Sequence, residues 1–258
     1  MPTLSVAVIT LNEEDRIREA LDSVRFADEI VIVDSGSTDR TVEICREFTD
    51  NVFVESWRGF AGQKNAAVER TTGDWVLSID ADEQVTAELA GEIRNVVSSG
   101  GPGDGYLVPR RNFFGGTWVR HGGWYPDYTL RLFRRDKGRF AERRVHEAVS
   151  LNGGRVARLR SPLLHRTYEG VSDYLRRMDR YSTLAAEELR ARGRRARWFD
   201  LVLRPPAVFL RNYLLRAGFL DGWTGLIAAG LTAAYTFSKY AKLAEMETAA
   251  RRDQPHGA

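Results

Sequence analysis

Strand-like and helix-like segments alternate along the first hundred residues, and this alternation leaves the chain few folds to adopt. Four apolar runs rich in β-branched residues are typical of buried strands and lie at residues 4–9, 30–33, 52–54 and 75–79. Three helix-like segments separate these runs and lie at residues 13–24, 39–48 and 63–70. The pattern predicts an α/β fold in which a mostly parallel central sheet is covered by helices on both faces.

Acidic and polar side chains follow three of these predicted strands at the point where each strand ends. Asn12 and Glu14 follow the first strand, Asp34 follows the second, and Asp80 and Asp82 follow the fourth. Because the carboxyl ends of parallel strands meet at one edge of a sheet, folds of this class bind ligands there. Clustered carboxylates suit a hard cation. Each group also has a structural explanation as a helix cap, including an acidic turn before a helix predicted at residues 86–97.

The segment 59–65 (GFAGQKN) places Lys64 at the predicted start of the third helix. A helix N-terminus and a lysine together favour a phosphate, and a solvated lysine is the alternative. No G-x-G-x-x-G motif follows the first strand, and the glycine spacing of a P-loop is missing. These absences argue against a dinucleotide-binding domain and a P-loop nucleotide site.

Positive charge is concentrated in the middle of the chain. Residues 1–105 carry 9 basic and 21 acidic side chains, whereas residues 106–216 carry 25 basic and 10 acidic ones. Arginine, which binds phosphate through paired hydrogen bonds, makes up 34 of the 38 basic residues. No recognition helix, zinc finger or RNA-binding sheet motif accompanies this charge. We therefore expect an anionic lipid or a phosphorylated glycolipid as a partner, and no nucleic acid.

The pattern becomes helical beyond residue 168. We therefore assign residues 1–168 to one domain, with halves 1–100 and 101–168, and residues 169–258 to a helical extension. A basic run at 190–197 leads directly into Trp198 and further apolar stretches. The uncharged run 222–238 falls short of the ~20 residues that span a bilayer. These features predict attachment to a membrane surface through residues 198–246.

Two features indicate the cellular compartment. Cys45 is the only cysteine, which is consistent with a reducing environment. Residues 1–3 lead directly into the first predicted strand and leave no room for a signal peptide. We therefore expect the protein in the cytoplasm, attached peripherally to the inner face of the cell membrane.

Four ordered motifs resemble those of the family 2 glycosyltransferases of the GT-A fold. They lie at residues 8–14 (VITLNEE), 33–39 (VDSGSTD), 62–65 (GQKN) and 80–83 (DADE). Looser similarity resembles the small bacterial branch that includes inner-core lipopolysaccharide β-glucosyltransferase-like enzymes. Its segments lie at residues 124–128 (WYPDY), 130–133 (LRLF), 145–147 (VHE), 164–165 (LH) and 235–240 (YTFSKY).

The resemblance implies a metal-dependent inverting transfer of a hexose, glucose from UDP-glucose, to a lipid-linked or lipopolysaccharide-type glycan. It implies that Asp34 accepts a hydrogen bond from the nucleotide base and that Asp82 binds Mg²⁺ or Mn²⁺. Asp80 would face the ribose or the metal, and His165 would be a further metal ligand, with a packed or solvated histidine as the alternative. The other nucleotide-sugar contacts that it implies are Thr10, Leu11, Asn12, Glu14, Ser35, Lys64 and Ala81.

An inverting transfer also needs a base that takes the proton of the acceptor hydroxyl. The resemblance places this base at Glu147, with Asp127 as the second candidate. The Glu-Asp pair that is usual in the family is replaced here by His146-Glu147, and Glu147 could instead pair with a nearby arginine.

The acceptor site is the last role that the resemblance implies. It assigns Trp124, Tyr125 and Arg131 to acceptor contacts, and the two aromatic residues could equally be core residues. The alternative function is a non-catalytic membrane-surface module that binds a nucleotide sugar or a glycolipid. A nucleotidyltransferase is less compatible, because no Gly-rich loop follows the first strand.

Overall fold

The computed structural model describes residues 1–141 and 148–252, and the chain divides into two compact units. The first unit contains residues 1–112 and 126–167. The second contains residues 113–125 and the chain from Tyr168 onward. Residues 113–125 therefore belong with the helical second unit, whereas the sequence pattern places them within the 1–168 domain.

The first unit is built on a mixed β-sheet. The strands in the described residues are β1 (Leu4–Thr10), β2 (Glu29–Asp34), β3 (Val52–Val54), β4 (Trp75–Asp80), β5 (Glu83–Val85), β6 (Gly105–Phe114), β7 (Thr117–Trp118), β8 (Asp127–Arg134), β9 (Gly138–Ala141), β10 (Ala148–Leu151), β11 (Val156–Arg158) and β12 (Leu163–Tyr168). The main sheet has the order β3-β2-β1-β4-β8-β6-β12-β5, and β9 and β10 form a separate antiparallel pair. Strands β1 to β4 are parallel, whereas β8 runs antiparallel to both β4 and β6.

Helices cover both faces of the parallel part of this sheet, which confirms the predicted α/β class. The helices in the described residues are α1 (Ile17–Asp22), α2 (Thr41–Arg46), α3 (Gly59–Glu69), α4 (Ala87–Ser99), α5 (Val171–Ala191), α6 (Trp198–Val202), α7 (Arg204–Leu210) and α8 (Gly222–Arg252). Alternate residues of β1 pack on opposite faces: Val6 and Val8 join the core with α1 and α4, and Ala7 and Ile9 join the core with α3. All four side chains are buried, as expected for a strand covered on both sides.

The strand register sets the position of the functional edge. In the parallel ladders, Thr10 is paired with Asp34, and Ile9 is paired with both Val33 and Asp80. The carboxyl ends of β1, β2 and β4 are therefore level with one another. The polar residues that follow these strands reach one edge of the first unit, as the sequence predicts.

The second unit is mainly helical and has its own aromatic core. Phe114 packs with Val119 from residues 113–125 and with Tyr174 of α5, and α5 also packs along α8. A π-helical turn (Arg211–Leu215) and a 3₁₀ turn (Gly218–Asp221) connect α7 to α8. Among the described residues, no helix combines the length and the apolar character that crossing a bilayer requires.

Candidate active site

Asp34 organises the turn that follows β2. Its side chain is fully buried. Oδ1 accepts hydrogen bonds from the backbone N–H groups of Gly36 (2.9 Å) and Ser37 (2.8 Å), and Oδ2 accepts one from Ser37 Oγ. Gly36 has a φ of 94°, a backbone conformation that residues with a side chain rarely adopt. Asp34 thus fixes the backbone of this turn, and base recognition by Asp34 stays a prediction.

The loop after β1 is joined to the turn after β2. Asn12 adopts a left-handed φ of 53°, and its side-chain Oδ1 accepts the backbone N–H of Thr38 at 2.8 Å. The backbone N–H of Asn12 donates to Ser37 Oγ at 2.8 Å. Glu14 Oε2 accepts the backbone N–H of Arg40 at 3.0 Å. These contacts hold two predicted nucleotide-binding loops against each other.

The hydroxyl of Thr10 is an unsatisfied polar group at this edge. Thr10 is only 4% exposed, and its Oγ1 has no hydrogen-bond partner among the described residues. A buried hydroxyl without a partner costs free energy, so a ligand that reaches it would gain a hydrogen bond. The neighbouring predicted contacts differ in exposure: Leu11 is 46% exposed, Ser35 is partly buried and Ala81 is buried.

Lys64 is buried and bound to a carboxylate. The α3 helix begins at Gly59, so Lys64 lies in its second turn, and the prediction that it starts a helix is wrong. The cause is that the helix extends further toward the N-terminus than the apolar pattern indicates. Lys64 Nζ forms an ion pair with Asp80 Oδ1 at 2.7 Å. A lysine that is 5% exposed is rarely left unpaired, and this pair places its charge at the end of β4.

Arg131 joins the same carboxylate from β8. Its Nη2 donates to Asp80 Oδ2 at 2.6 Å and also to Glu83 Oε1. Glu83 is fully buried in β5, and its Oε2 accepts the backbone N–H of Asp80 at 3.0 Å. The acids at 80–83 therefore do not cap the next helix, because the side chain of Thr86 accepts the backbone N–H of Leu89 and caps α4.

Ion pairing within this cluster shifts the pKa values of Asp80 and Arg131. Burial raises the pKa of Asp80, but Arg131 and Lys64 outweigh burial and hold that pKa well below its ordinary value. Burial lowers the pKa of Arg131, but Asp80 and Glu83 outweigh this effect and raise it. Asp80 and Arg131 are therefore both charged at neutral pH. Arg131 is 3% exposed, so its contacts do not support the predicted acceptor role.

Asp82 and His165 form a second polar group at this edge. His165 Nε2 lies 3.6 Å from Asp82 Oδ2, and both side chains are about 15% exposed. His165 Nδ1 lies 2.7 Å from Asn112 Oδ1, which can only accept, so Nδ1 is the donor of this hydrogen bond and Nε2 is the ring nitrogen that faces Asp82. Thr167 Oγ1 also lies 3.2 Å from Nδ1.

This pair fits a divalent metal ion. A carboxylate oxygen and an imidazole nitrogen that face each other need a cation or a proton between them. A histidine that binds a metal through one ring nitrogen is usually oriented by a hydrogen bond from the other ring nitrogen. Among the described residues, no group of three or more His, Cys, Asp or Glu side chains is placed to hold a metal ion. Two protein ligands are sufficient where substrate phosphates and water supply the others, as is typical of Mg²⁺ sites. Asp80 as a direct ligand stays a prediction, since both of its oxygens are paired.

Of the two candidate bases, Asp127 lies within the described residues. Its Oδ2 accepts hydrogen bonds from Arg110 Nε (3.0 Å), Arg110 Nη2 (2.6 Å) and Asn112 Nδ2 (3.1 Å). These contacts orient Asn112 and give Asp127 a positioning role. Glu147, the first candidate for the base, lies outside the described residues.

The predicted aromatic acceptor contacts belong to the second unit. Trp124 packs edge to face against Phe114 and Tyr168, and Tyr125 packs edge to face against Trp118. Both are partly buried, which is compatible with the core alternative and leaves acceptor binding a prediction.

Three residues of the site were missed by sequence reasoning. Arg110 and Asn112 lie two positions apart on β6, so their side chains share one face of the sheet. Glu83 was noticed only as part of an acidic motif. The run of three polar residues at 110–112 (RRN) in a strand of otherwise apolar residues was the available signal for the first two.

The chain is similar to known proteins over most of its length. The family model described as glycosyl transferase family 2 matches residues 5–150. The lipopolysaccharide core biosynthesis glycosyltransferase LpsC of Rhizobium meliloti (strain 1021) is 33% identical over 251 residues, which cover 92% of this chain and 93% of LpsC. An uncharacterized glycosyltransferase of Rickettsia typhi, RT0209, is 30% identical over 267 residues, which cover 97% of this chain and 90% of that protein.

Solved structures share the fold. Residues 1–349 of S. aureus TarS in complex with UDP-GlcNAc superpose with a TM-score of 0.52 at 18% identity, covering 99% of this chain and 93% of that one. Glucosyl-3-phosphoglycerate synthase from Mycobacterium tuberculosis in complex with phosphoglyceric acid superposes with a TM-score of 0.51 at 20% identity, covering 75% of this chain and 81% of that one. At these identities the likeness concerns the fold alone.

Proposed function

This chain belongs to glycosyl transferase family 2 and has the GT-A fold, and on that basis we propose that it is a metal-dependent inverting hexosyltransferase. The donor we propose is UDP-glucose, and the acceptor is a lipid-linked or lipopolysaccharide-type glycan. The observation that carries this proposal is the level register of β1, β2 and β4, because it gathers Thr10, Asp34 and Asp80 at one edge.

The loops after β1 and β2 would hold the nucleoside. Asn12, Ser37 and Thr38 fix these loops to each other, so the ligand would meet a preformed surface. Thr10 Oγ1 is buried and lacks a partner among the described residues, which supports a polar ligand at this position. A preformed site saves the entropy of ordering loops on binding.

The end of β4 would hold the diphosphate side of the donor. Asp82 and His165 would bind Mg²⁺ or Mn²⁺ there, and the ion would neutralise the charge that develops on the diphosphate leaving group. Lys64 and Arg131 hold Asp80 from two sides, so the carboxylate keeps its orientation while the donor binds. Inversion requires a carboxylate near the acceptor hydroxyl; Glu147 stays our first candidate, because Asp127 Oδ2 is occupied by Arg110 and Asn112.

The proposed acceptor is supported by sequence similarity, and the proposed membrane location is supported by the charge of the chain. The similarity to LpsC favours a lipopolysaccharide core acceptor. Such acceptors are lipid-linked, so the enzyme would work at a membrane, and the arginine-rich second half of the chain suits an anionic lipid surface. We therefore place the protein in the cytoplasm, on the inner face of the cell membrane.

The proposal is tested by a donor screen followed by a turnover assay. UDP-glucose with Mn²⁺ should raise the melting temperature, by about 5–10 °C at a hundredfold excess over the dissociation constant. UDP-glucose with core-truncated lipopolysaccharide should then yield UDP and an extended glycan of inverted anomeric configuration. Stabilisation by UDP without turnover on any lipid-linked glycan would favour the non-catalytic module instead.

A further inference from the structure

An exposed apolar tip lies in the second unit, where the chain reverses direction between α7 and α8. We call the five residues that form it the hairpin tip: Leu214 (52% exposed), Leu215 (83%), Phe219 (47%), Leu220 (61%) and Trp223 (81%). Because α7 and α8 pack against each other, these five residues occupy one end of a helical hairpin. Soluble proteins normally scatter such residues singly, and a contiguous patch marks an interaction site.

The backbone beneath the hairpin tip is closely packed. A Cβ on Gly218 would lie 2.7 Å from the carbonyl oxygen of Asn212, and a Cβ on Gly225 would collide with the carbonyl oxygen of Gly218. The Asp221 carboxylate accepts the backbone N–H of His121 at 2.8 Å and ties the turn to the rest of the unit. These contacts hold the backbone of the hairpin tip in one conformation.

Positive charge accompanies this apolar surface. Arg211 and Arg216 have exposed side chains and flank Leu214 and Leu215 in the chain. The arginines of residues 190–204 belong to the opposite end of α8, where Leu201 packs with Leu243, and are not part of this surface.

We propose that the hairpin tip inserts into the headgroup and upper acyl region of an anionic bilayer, with the adjacent arginines bound to lipid phosphates. Tryptophan and leucine are the residues that interfacial segments bury, and tryptophan favours the headgroup level. Arginine stems can lie along the apolar surface while their guanidinium groups reach phosphate. This inference deepens the proposed membrane attachment by naming the inserted element, and it requires no sugar transfer.

A lipid surface explains the patch better than a second copy of the chain. A symmetric dimer through the hairpin tip would bring the same arginines of both copies together. The acid of this turn, Asp221, has a side chain that is 6% exposed and already accepts hydrogen bonds, so it would not neutralise that charge. Anionic lipid supplies the missing negative charge on the side that the tip faces.

The test is cosedimentation of the full chain with vesicles. Vesicles of phosphatidylglycerol and phosphatidylethanolamine should bind the protein, phosphatidylcholine vesicles should bind it much more weakly, and about 0.5 M NaCl should reduce binding to the anionic vesicles. The variant Leu215→Ser/Trp223→Ser should bind anionic vesicles about a hundredfold more weakly. Both positions are more than four-fifths exposed, so its melting temperature should match that of the wild type.

The matched control is Val171→Ser/Leu175→Ser, which removes exposed apolar side chains from α5 of the same unit (41% and 43% exposed). This control should bind vesicles like the wild type. Equal binding by the tip variant and the wild type would overturn the proposal. The proposal would also be overturned if the wild type bound neither kind of vesicle but sedimented as a dimer, and the tip variant sedimented as a monomer. UDP binding, measured separately by thermal shift, should be the same in all three proteins. A failure of the membrane proposal can therefore be distinguished from a failure of the proposed sugar transfer.

Discussion

Asn112 gives a sharp test of how the candidate metal site is held. It is 6% exposed and connects two groups: its Oδ1 lies 2.7 Å from His165 Nδ1, and its Nδ2 donates to Asp127 Oδ2 at 3.1 Å. Because an ionised carboxylate can only accept, Asp127 fixes which end of the amide faces His165. Asn112 therefore holds Nδ1 as a hydrogen-bond donor and orients Nε2 toward Asp82. We expect it to be a positioning residue for metal binding.

The expected size of the effect follows from this contact. Removing the partner of a metal-bound histidine typically weakens metal binding 10- to 100-fold, which corresponds to about 1.4–2.7 kcal/mol. Asn112→Ala should therefore weaken Mn²⁺ binding by about that factor. His165→Gln should weaken it as much or more. The double variant should bind Mn²⁺ no more weakly than His165→Gln alone, because Asn112 acts through His165.

The assay is calorimetric titration of Mn²⁺ into the protein with UDP present, which does not depend on turnover. Asn95→Ala is the matched control, since Asn95 is exposed on α4, and it should leave Mn²⁺ affinity unchanged. Additive losses in the double variant would refute the reasoning. A lower melting temperature of Asn112→Ala with unchanged Mn²⁺ affinity would refute it as well, because Asn112 would then be merely structural.

Four further predictions concern the charged cluster, Asp82 and the thiol of the first unit. Asp82→Asn should reduce transfer by at least about 100-fold in a UDP-release assay while leaving the melting temperature unchanged, since no Lys or Arg of the described residues pairs with Asp82. Arg131→Met should lower the free energy of unfolding by about 3–5 kcal/mol in urea titrations, because it leaves Glu83 buried without its closest cation. Since the pKa of Asp80 is depressed in the folded state, its stabilising contribution should be complete above about pH 4 and lost at lower pH, and this loss should be smaller in Arg131→Met. Burial raises the pKa of Cys45 to about 12, so a thiol reagent should label it at neutral pH only after unfolding.

The parallel half of the sheet was predictable because its signals are local. Apolar runs mark β1, β2 and β4, and a parallel ladder makes their carboxyl ends level whatever the details of packing. The turn residues Asn12 and Asp34 follow those runs directly in the chain. Helix boundaries were less predictable: α3 begins at Gly59, before its apolar pattern starts, so Lys64 lies in the second turn.

The polar contacts across the antiparallel half were not predictable, because they join residues far apart in the chain. Arg131 meets Asp80 only because β8 lies beside β4, and His165 meets Asn112 only because β12 lies beside β6. Periodicity shows that a strand is buried but does not show which strand is its neighbour. The resemblance implies an acceptor contact for Arg131, which stays a prediction, and only the sheet order shows that Arg131 lies against two carboxylates.

The division of charge among the acids after β4 explains why Asp82 is the residue we assign to the metal. Three acids lie within four residues, and all three at full charge would repel one another at the end of a buried strand. Arg131 and Lys64 neutralise Asp80, and Arg131 also neutralises the buried Glu83. Asp82 is left facing Nε2 of His165, and no Lys or Arg of the described residues pairs with it. A carboxylate and an imidazole nitrogen that face each other are stable together when a proton or a metal ion lies between them, and this pairing is the reason that we propose Asp82 as the metal ligand.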